Sequence, residues 1–177
     1  MEELIRKLEK EYGIYDIVKQ RDNFYIFTVD KAKLHSLLYY LKNVENFKHL
    51  AMIAYIDWIE ENKFQLSYVL WSYQKKQQLS VRIFLDRDNP VFKTVMHLWP
   101  QAEIYEREIR EMMGITFEGN PTQFEDFALE DWDDIPPMRR DFDTYKYAME
   151  KFGERPGRKS FNVREVISER YNEWRRK

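Results

Sequence analysis

The chain has 177 residues, of which 44% are hydrophobic and 16% aromatic, too much apolar material for a solvated coil. A chain of this length buries about 68–70% of its unfolded surface, enough for one core without staples. With 29 basic against 31 acidic residues the net charge is −2, so no global basic field draws it to nucleic acid or anionic lipid. The absence of cysteine excludes disulfides, thiol catalysis and any zinc ion or iron–sulfur cluster held by thiolates of this chain.

Leu4, Ile5, Leu8 and Tyr12 recur at helical spacing and Gly13 suits the position after a helix, which predicts a helix over 2–12. Residues 14–19 and 24–29 flank the polar turn Gln20-Arg21-Asp22-Asn23 and read as a hairpin. Asp30 then caps a helix with Leu34, Leu37, Leu38 and Leu41 on one stripe. Strands are predicted over 50–59, 64–71 and 79–85. In the last two, Phe64, Leu66, Tyr68 and Leu70, then Leu79, Val81, Ile83 and Leu85, alternate onto one face. The order is that of an α+β fold, an antiparallel or mixed sheet backed by helices.

After a turn over 86–90, Pro100 restarts the chain into a helix over 101–113 whose apolar side is Ala102, Tyr105, Ile109, Met112 and Met113, and Gly114 stops it. All six prolines lie at or after Pro90 and four of the five glycines at or after Gly114. Residues 1–113 are therefore expected to form the core domain. Residues 114–160 are expected to be a long extended segment without regular elements, laid on a partner through Phe117, Phe124, Phe127, Trp132 and Phe142. Residues 118–143 hold nine acidic and two basic side chains, a net of −7; residues 152–177 hold eight basic and four acidic, a net of +4. Asn162 and Glu165 resemble a capping box ahead of a terminal helix over 161–177.

Candidate chemistry is sparse. His35, His49 and His97 are far apart and none has a second ligand at metal-site spacing. The acids between Glu125 and Asp134 are interrupted by Phe127, Ala128, Leu129 and Trp132 and lack the glycine of a calcium loop, so they read as a solvated or partner-facing stretch. Neither a phosphate-binding glycine loop nor a Gly-x-Ser-x-Gly elbow is present. The charged opening of the chain does not read as a signal peptide, and the longest apolar run, 50–56, is far short of the roughly 18 residues of a membrane span, so a soluble chain is expected.

One ordered series says more. Tyr105-Glu106-Arg107-Glu108 is followed by Glu111-Met112-Met113-Gly114-Ile115 and Phe117-Glu118-Gly119-Asn120-Pro121. Asp88-Asn89-Pro90 and Leu98-Trp99-Pro100 precede it, and Leu129-Glu130-Asp131-Trp132 and Pro137-Met138-Arg139-Arg140-Asp141-Phe142 follow. The series resembles the signature of the C-subunit family of NADH–quinone oxidoreductase, respiratory complex I. Asn120 and Pro136 stand where the family pattern has His, and Arg140 stands for Lys, so the resemblance is to a divergent branch. Relatives of that family also serve membrane-bound nickel–iron hydrogenases and archaeal ferredoxin-dependent membrane complexes. High Lys/Glu content without cysteine points to a thermophilic source.

The resemblance implies a non-catalytic, cofactor-free subunit of a hydrophilic arm, peripheral on the cytoplasmic side of the cell membrane and touching the membrane arm only indirectly. Its expected partners are a large catalytic subunit, of quinone-site or nickel–iron hydrogenase-like kind, and a small iron–sulfur subunit that carries the clusters. The alternatives are a true NADH–quinone oxidoreductase subunit, a stand-alone acidic-site enzyme, or a small nucleic-acid-binding module. Expected interface residues are Glu106, Arg107, Glu108, Glu111, Phe117, Trp132, Pro137, Arg139, Arg140 and Asp141. Locally, Glu106–Arg110 and Arg107–Glu111 are i,i+4 pairs suited to an exposed helix face. Pro136-Pro137 stiffens the approach to the Arg pair, which suits bidentate contact with a neighbour's carboxylates; pairing with the chain's own acids at 130–134 is the competing reading.

Overall fold

A computed structural model describes residues 1–153 and 167–168. Helix α1 (Glu2–Tyr12) ends at Gly13, whose left-handed φ of 67° is the conformation a glycine adopts without strain. Strands β1 (Tyr15–Arg21) and β2 (Phe24–Thr28) form the expected hairpin. The Asp30 carboxylate accepts from the Ala32 N–H to cap a short 3₁₀ turn, which leads into α2 (Leu34–Asn43).

Strands β3 (His49–Trp58), β4 (Lys63–Ser72) and β5 (Gln77–Asp86) complete a five-stranded sheet of order β1-β2-β5-β4-β3. Only the β2–β5 pairing is parallel, so the sheet is mixed. The alternating residues of β4 and β5 meet in register, Phe64 opposite Leu85, Leu66 opposite Ile83, Tyr68 opposite Val81 and Leu70 opposite Leu79, and all eight are buried. The helical residues Leu8, Leu34, Leu37, Leu38, Leu41, Ile109 and Met113 belong to the same core.

Three elements escaped the sequence reading. Strands β6 (Val91–Lys93) and β7 (Thr116–Glu118) pair in parallel, joined by α3 (Ala102–Met113). Parallel neighbours need a crossover of about this length. Three residues are too few to show a period, so nothing in the pattern marked them. Helix α4 (Thr144–Phe152) is capped by Asp143, whose carboxylate accepts from the Lys146 N–H at 2.9 Å.

The segment expected to lack regular elements therefore holds β7 and α4. The expected boundary at 113 also does not match the division of the molecule, whose first compact unit runs Met1–Phe142 and second Asp143–Lys177. Ile115 and Phe117 are fully buried in the core of the first unit, which is why the chain does not leave the body at Gly114. The terminal helix expected over 161–177 lies outside the described residues, apart from Ile167 and Ser168, which are helical.

Gly114 closes α3 at φ 78°, and a Cβ there would stand 2.9 Å from Arg139 Nη2 and 3.1 Å from Pro136 Cγ. Gly114→Ala should cost about 1–2 kcal/mol, from left-handed strain and displacement of the returning segment. Chemical denaturation measures the loss, and limited trypsin digestion should cut faster after Arg139 and Arg140 than in the wild type.

Candidate functional site

Helix α3 carries its charges to unequal fates. Glu106 is completely buried and has no cationic side chain within ion-pair distance among the described residues. Its Oε1 accepts from the Val95 N–H at 2.9 Å. Its Oε2 accepts from the Thr94 hydroxyl at 2.6 Å and from Asn120 Nδ2 at 3.0 Å. Thr94 and Val95 follow β6 and Asn120 follows β7, so one carboxylate joins the helix to both strands of its own crossover. Burial raises the Glu106 carboxyl above its ordinary value, while the three donors and the nearby His97 act the other way. Beside it on β4, the buried Tyr68 hydroxyl has no hydrogen-bond partner among the described residues; burial, then the Glu106 charge, push that phenol well above its ordinary value.

The remaining charges of α3 hold the chain that follows. Glu111 accepts from three successive backbone N–H groups, Phe127 at 2.7 Å, Ala128 at 2.9 Å and Leu129 at 3.2 Å. Arg107 pairs with Glu125 at 3.3 Å and lies over the Phe127 ring, and Arg110 lies over the Phe124 ring with 5.0 Å to the centroid. Glu108 accepts from the Tyr55 hydroxyl at 3.4 Å. The last carbonyls of a helix have no partners within it. Here Met112 O accepts from the Met138 N–H at 3.1 Å and Met113 O from Arg139 Nε at 2.8 Å, so the returning chain completes the helix end.

Beyond Arg139 the chain is clasped to the end of the sheet. Asp57 on β3 has a buried side chain, which accepts from Arg87 Nε at 3.0 Å and from the Arg140 backbone N–H at 2.9 Å. Arg87 also reaches Asp141 at 2.8 Å, and Arg140 reaches Glu60 at 2.6 Å. The guanidinium groups of Arg87 and Arg139 both lie over the Phe64 ring, at 5.5 and 5.2 Å from its centroid. The hydrogen bond from Arg87 holds the Asp141 carboxyl below its ordinary value.

This geometry revises several expectations. Glu106 and Phe117 are fully buried within the chain, so neither presents a contact surface. The i,i+4 pairs Glu106–Arg110 and Arg107–Glu111 do not form, because each carboxylate meets better-placed donors from other segments. Arg139, Arg140 and Asp141 make their bonds inside the chain, to Met113, Glu60 and Arg87 rather than to the acids at 130–134. Trp132 is half-buried, with its indole N–H on Ile135 O, and Pro137 is also half-buried. Asp57, Arg87, Thr94 and Asn120 were not singled out from sequence as partners of this site; the turn over 86–90 and the motif position of Asn120 were the signals near them. No group of three acidic or His side chains among the described residues is arranged to hold a metal ion.

Residues 27–148 match the family model of the respiratory-chain NADH dehydrogenase, 30 kDa subunit. The chain belongs to that 30 kDa subunit family. Among its relatives, the C subunit of NADH-quinone oxidoreductase from Moorella thermoacetica is 28% identical over 142 residues, 80% of this chain and 95% of that one. The C subunit of F(420)H(2) dehydrogenase from Methanosarcina mazei is 30% identical over 121 residues, 66% of this chain and 74% of that one. The fold also matches a chain of the membrane-bound sulfane sulfur reductase, an archaeal respiratory membrane complex. That likeness has a TM-score of 0.82 and 27% identity, and covers 91% of this chain and 96% of the other. No helix among the described residues of this 30 kDa-type subunit is long and apolar enough to cross a membrane.

Two sets of variants test the site. Glu106→Ala should cost about 3 kcal/mol by stranding three donors in the core. Glu106→Gln should differ in its pH response. A carboxyl whose folded value is raised stabilises fully below its unfolded value, about 4.3, and loses that contribution as pH rises through the folded value. The stability of wild type relative to Glu106→Gln should therefore fall as pH rises above about 4.3, read by paired thermal melts from that pH upward. At the clasp, Arg87→Ala should cost about 3 kcal/mol, because it leaves the buried Asp57 charge without its cation. The same substitution in an Asp57→Ala background should cost clearly less, as a double-mutant cycle would measure.

Proposed function

We propose that the chain is a non-catalytic hydrophilic-arm subunit of a complex I-related membrane oxidoreductase of the archaeal type. It packs on a large catalytic subunit, of quinone-site or nickel–iron hydrogenase-like kind, and on a small iron–sulfur subunit. It meets the membrane arm only through them, on the cytoplasmic side. The clusters belong to the partners, since this chain has no cysteine to hold one.

The observation that carries this reading is the fold shared with the sulfane sulfur reductase chain across 91% of this one. The 30% identity to the F(420)H(2) dehydrogenase protein supports an electron source other than NADH. A subunit of an NADH–quinone oxidoreductase is the second reading, and the match to 95% of the Moorella protein favours it.

In this reading the first unit, Met1–Phe142, is the body, and its segment after β7 faces the partner. Arg107, Glu108, Glu111, Trp132, Pro137, Arg139, Arg140 and Asp141 keep some exposed surface and can touch a neighbour while bonded within the chain. Glu106 and Phe117 act from inside, by fixing the elements that present the others.

Affinity purification of the tagged chain from native membranes should bring down a large redox subunit and an iron-containing small subunit in equal amounts. The purified chain alone should show neither flavin nor iron absorption. A stoichiometric flavin or metal on the isolated chain, or its recovery without redox partners, would overturn the assignment.

A further inference from the structure

Between the C-terminal half of α3 and the loop over 123–136 lies a groove of about 450 Å³. Its apolar wall is made by Phe124, Leu129 and Trp132, and its rim carries Asp126, Asp133 and Asp134; Arg110 is the one cation of the lining and lies over the Phe124 ring, against five carboxylates once Glu111 and Glu125 are included. Four large apolar side chains near it stand open to solvent within fifteen residues: Phe124 at 67%, Phe127 at 38%, Ile135 at 39% and Met138 at 57%. Exposed apolar side chains clustered in one segment among polar residues mark a place of contact.

The loop is also held in shape before anything binds. Glu111 fixes the N–H groups of 127–129, Gln123 Oε1 accepts from the Phe117 N–H at 2.8 Å, and Trp132 Nε1 donates to Ile135 O at 3.0 Å. A pre-ordered surface loses less entropy on docking.

The charge decides what fits. Residues 118–143 carry −7 while the whole chain carries −2, so the rest of the chain is +5 and the negative field is local to this segment. Glu111 and Glu125 are occupied within the chain, by backbone N–H groups and by Arg107. Asp126 has no ion-pair partner among the described residues. A Lys or Arg side chain would lay its aliphatic stem along the aromatic wall and its charged end among the rim carboxylates. An acidic segment would be repelled there.

We propose that this groove seats a basic segment of a partner subunit, with a Lys or Arg side chain entering between the aromatic wall and the acidic rim. The proposal rests on the reading of the chain as part of a membrane complex, and names the chemistry of one contact.

The test uses the intact complex. A photo-crosslinking phenylalanine analogue at position 124, in the tagged chain assembled in its native membrane, should form an adduct with a Lys/Arg-rich stretch of another subunit. An adduct with an acidic or neutral stretch, or with a second copy of this chain, overturns the proposal. In parallel, the double variant Phe124→Ala/Asp126→Lys should reduce retention of the partner in a salt wash by at least about tenfold, since each 1.4 kcal/mol lost at an interface is a factor of ten. Tyr73→Ala, at a residue 71% exposed elsewhere on the first unit, should retain the partner as the wild type does. Equal retention of the double variant and wild type overturns the groove assignment while leaving the broader reading of the chain intact. Failure of the wild type itself to bring down any partner overturns both. A thermal melt of the isolated double variant shows whether it folds, and the crosslink decides the case independently if it does not.

Discussion

A fully buried carboxylate is costly unless donors surround it, and the fold meets that condition at Glu106 with donors from two other segments. Val95 and Thr94 are where β6 turns back toward α3, and Asn120 is where the chain leaves β7. The two strands share only three residue pairs, too little for independent stability. The buried acid ties their ends to the helix that connects them, so the crossover behaves as one piece. His35 extends the link to α2 through its Nε2, 3.2 Å from Thr94 O. The chain over 123–139 is mounted on that piece.

With α3 fixed, its outer face becomes a mount for the chain that follows. Each contact uses a need already present in the helix: two terminal carbonyls lack donors, and Glu111 and Arg107 lack partners on the helix itself. The segment over 123–142 supplies them and is supplied in return. Its far end closes on Asp57, a buried charge that would be destabilising without Arg87 and the Arg140 N–H. The ionic groups thus fix one path for a segment that has little apolar burial of its own, and that path leaves Phe124 and Met138 facing outward.

Much of the body was legible because burial there is one-sided and periodic. Alternation in 64–71 and 79–85 placed two central strands, the leucine stripe placed α2, and Gly13 and Gly114 ended two helices where left-handed backbone is needed. The site was less legible. The i,i+4 rule treats a charged helix face as if only the helix and water surrounded it, whereas the partners of Glu106 and Glu111 lie 11 to 18 residues away in the chain. Arg139 and Arg140 read as partner contacts, and nothing local reveals that Met113 O, Phe64 and Glu60 also face them. The family came from an ordered motif series, not from any one of these interactions.

Asn120 shows why a departure from the family pattern need not weaken the site. The pattern this segment resembles has His there, a side chain that can carry charge to a buried acid. Asn brings no charge, but it uses both ends of its amide. Its Nδ2 donates to Glu106 Oε2 and, at 3.2 Å, to Glu103 O, while its Oδ1 accepts from the Thr122 N–H at 3.1 Å. The Thr122 hydroxyl in turn lies 2.8 Å from Glu103 Oε1. A protonated imidazole could serve Glu106 but has no acceptor for the Thr122 N–H, and a neutral one has a single donor and a single acceptor. With Asn the turn at 120–122 and the buried acid are satisfied by one residue, and the acid keeps a raised affinity for its proton in place of a fixed counter-charge. The same position can therefore be filled by electrostatic compensation or by hydrogen-bond saturation, and this chain takes the second.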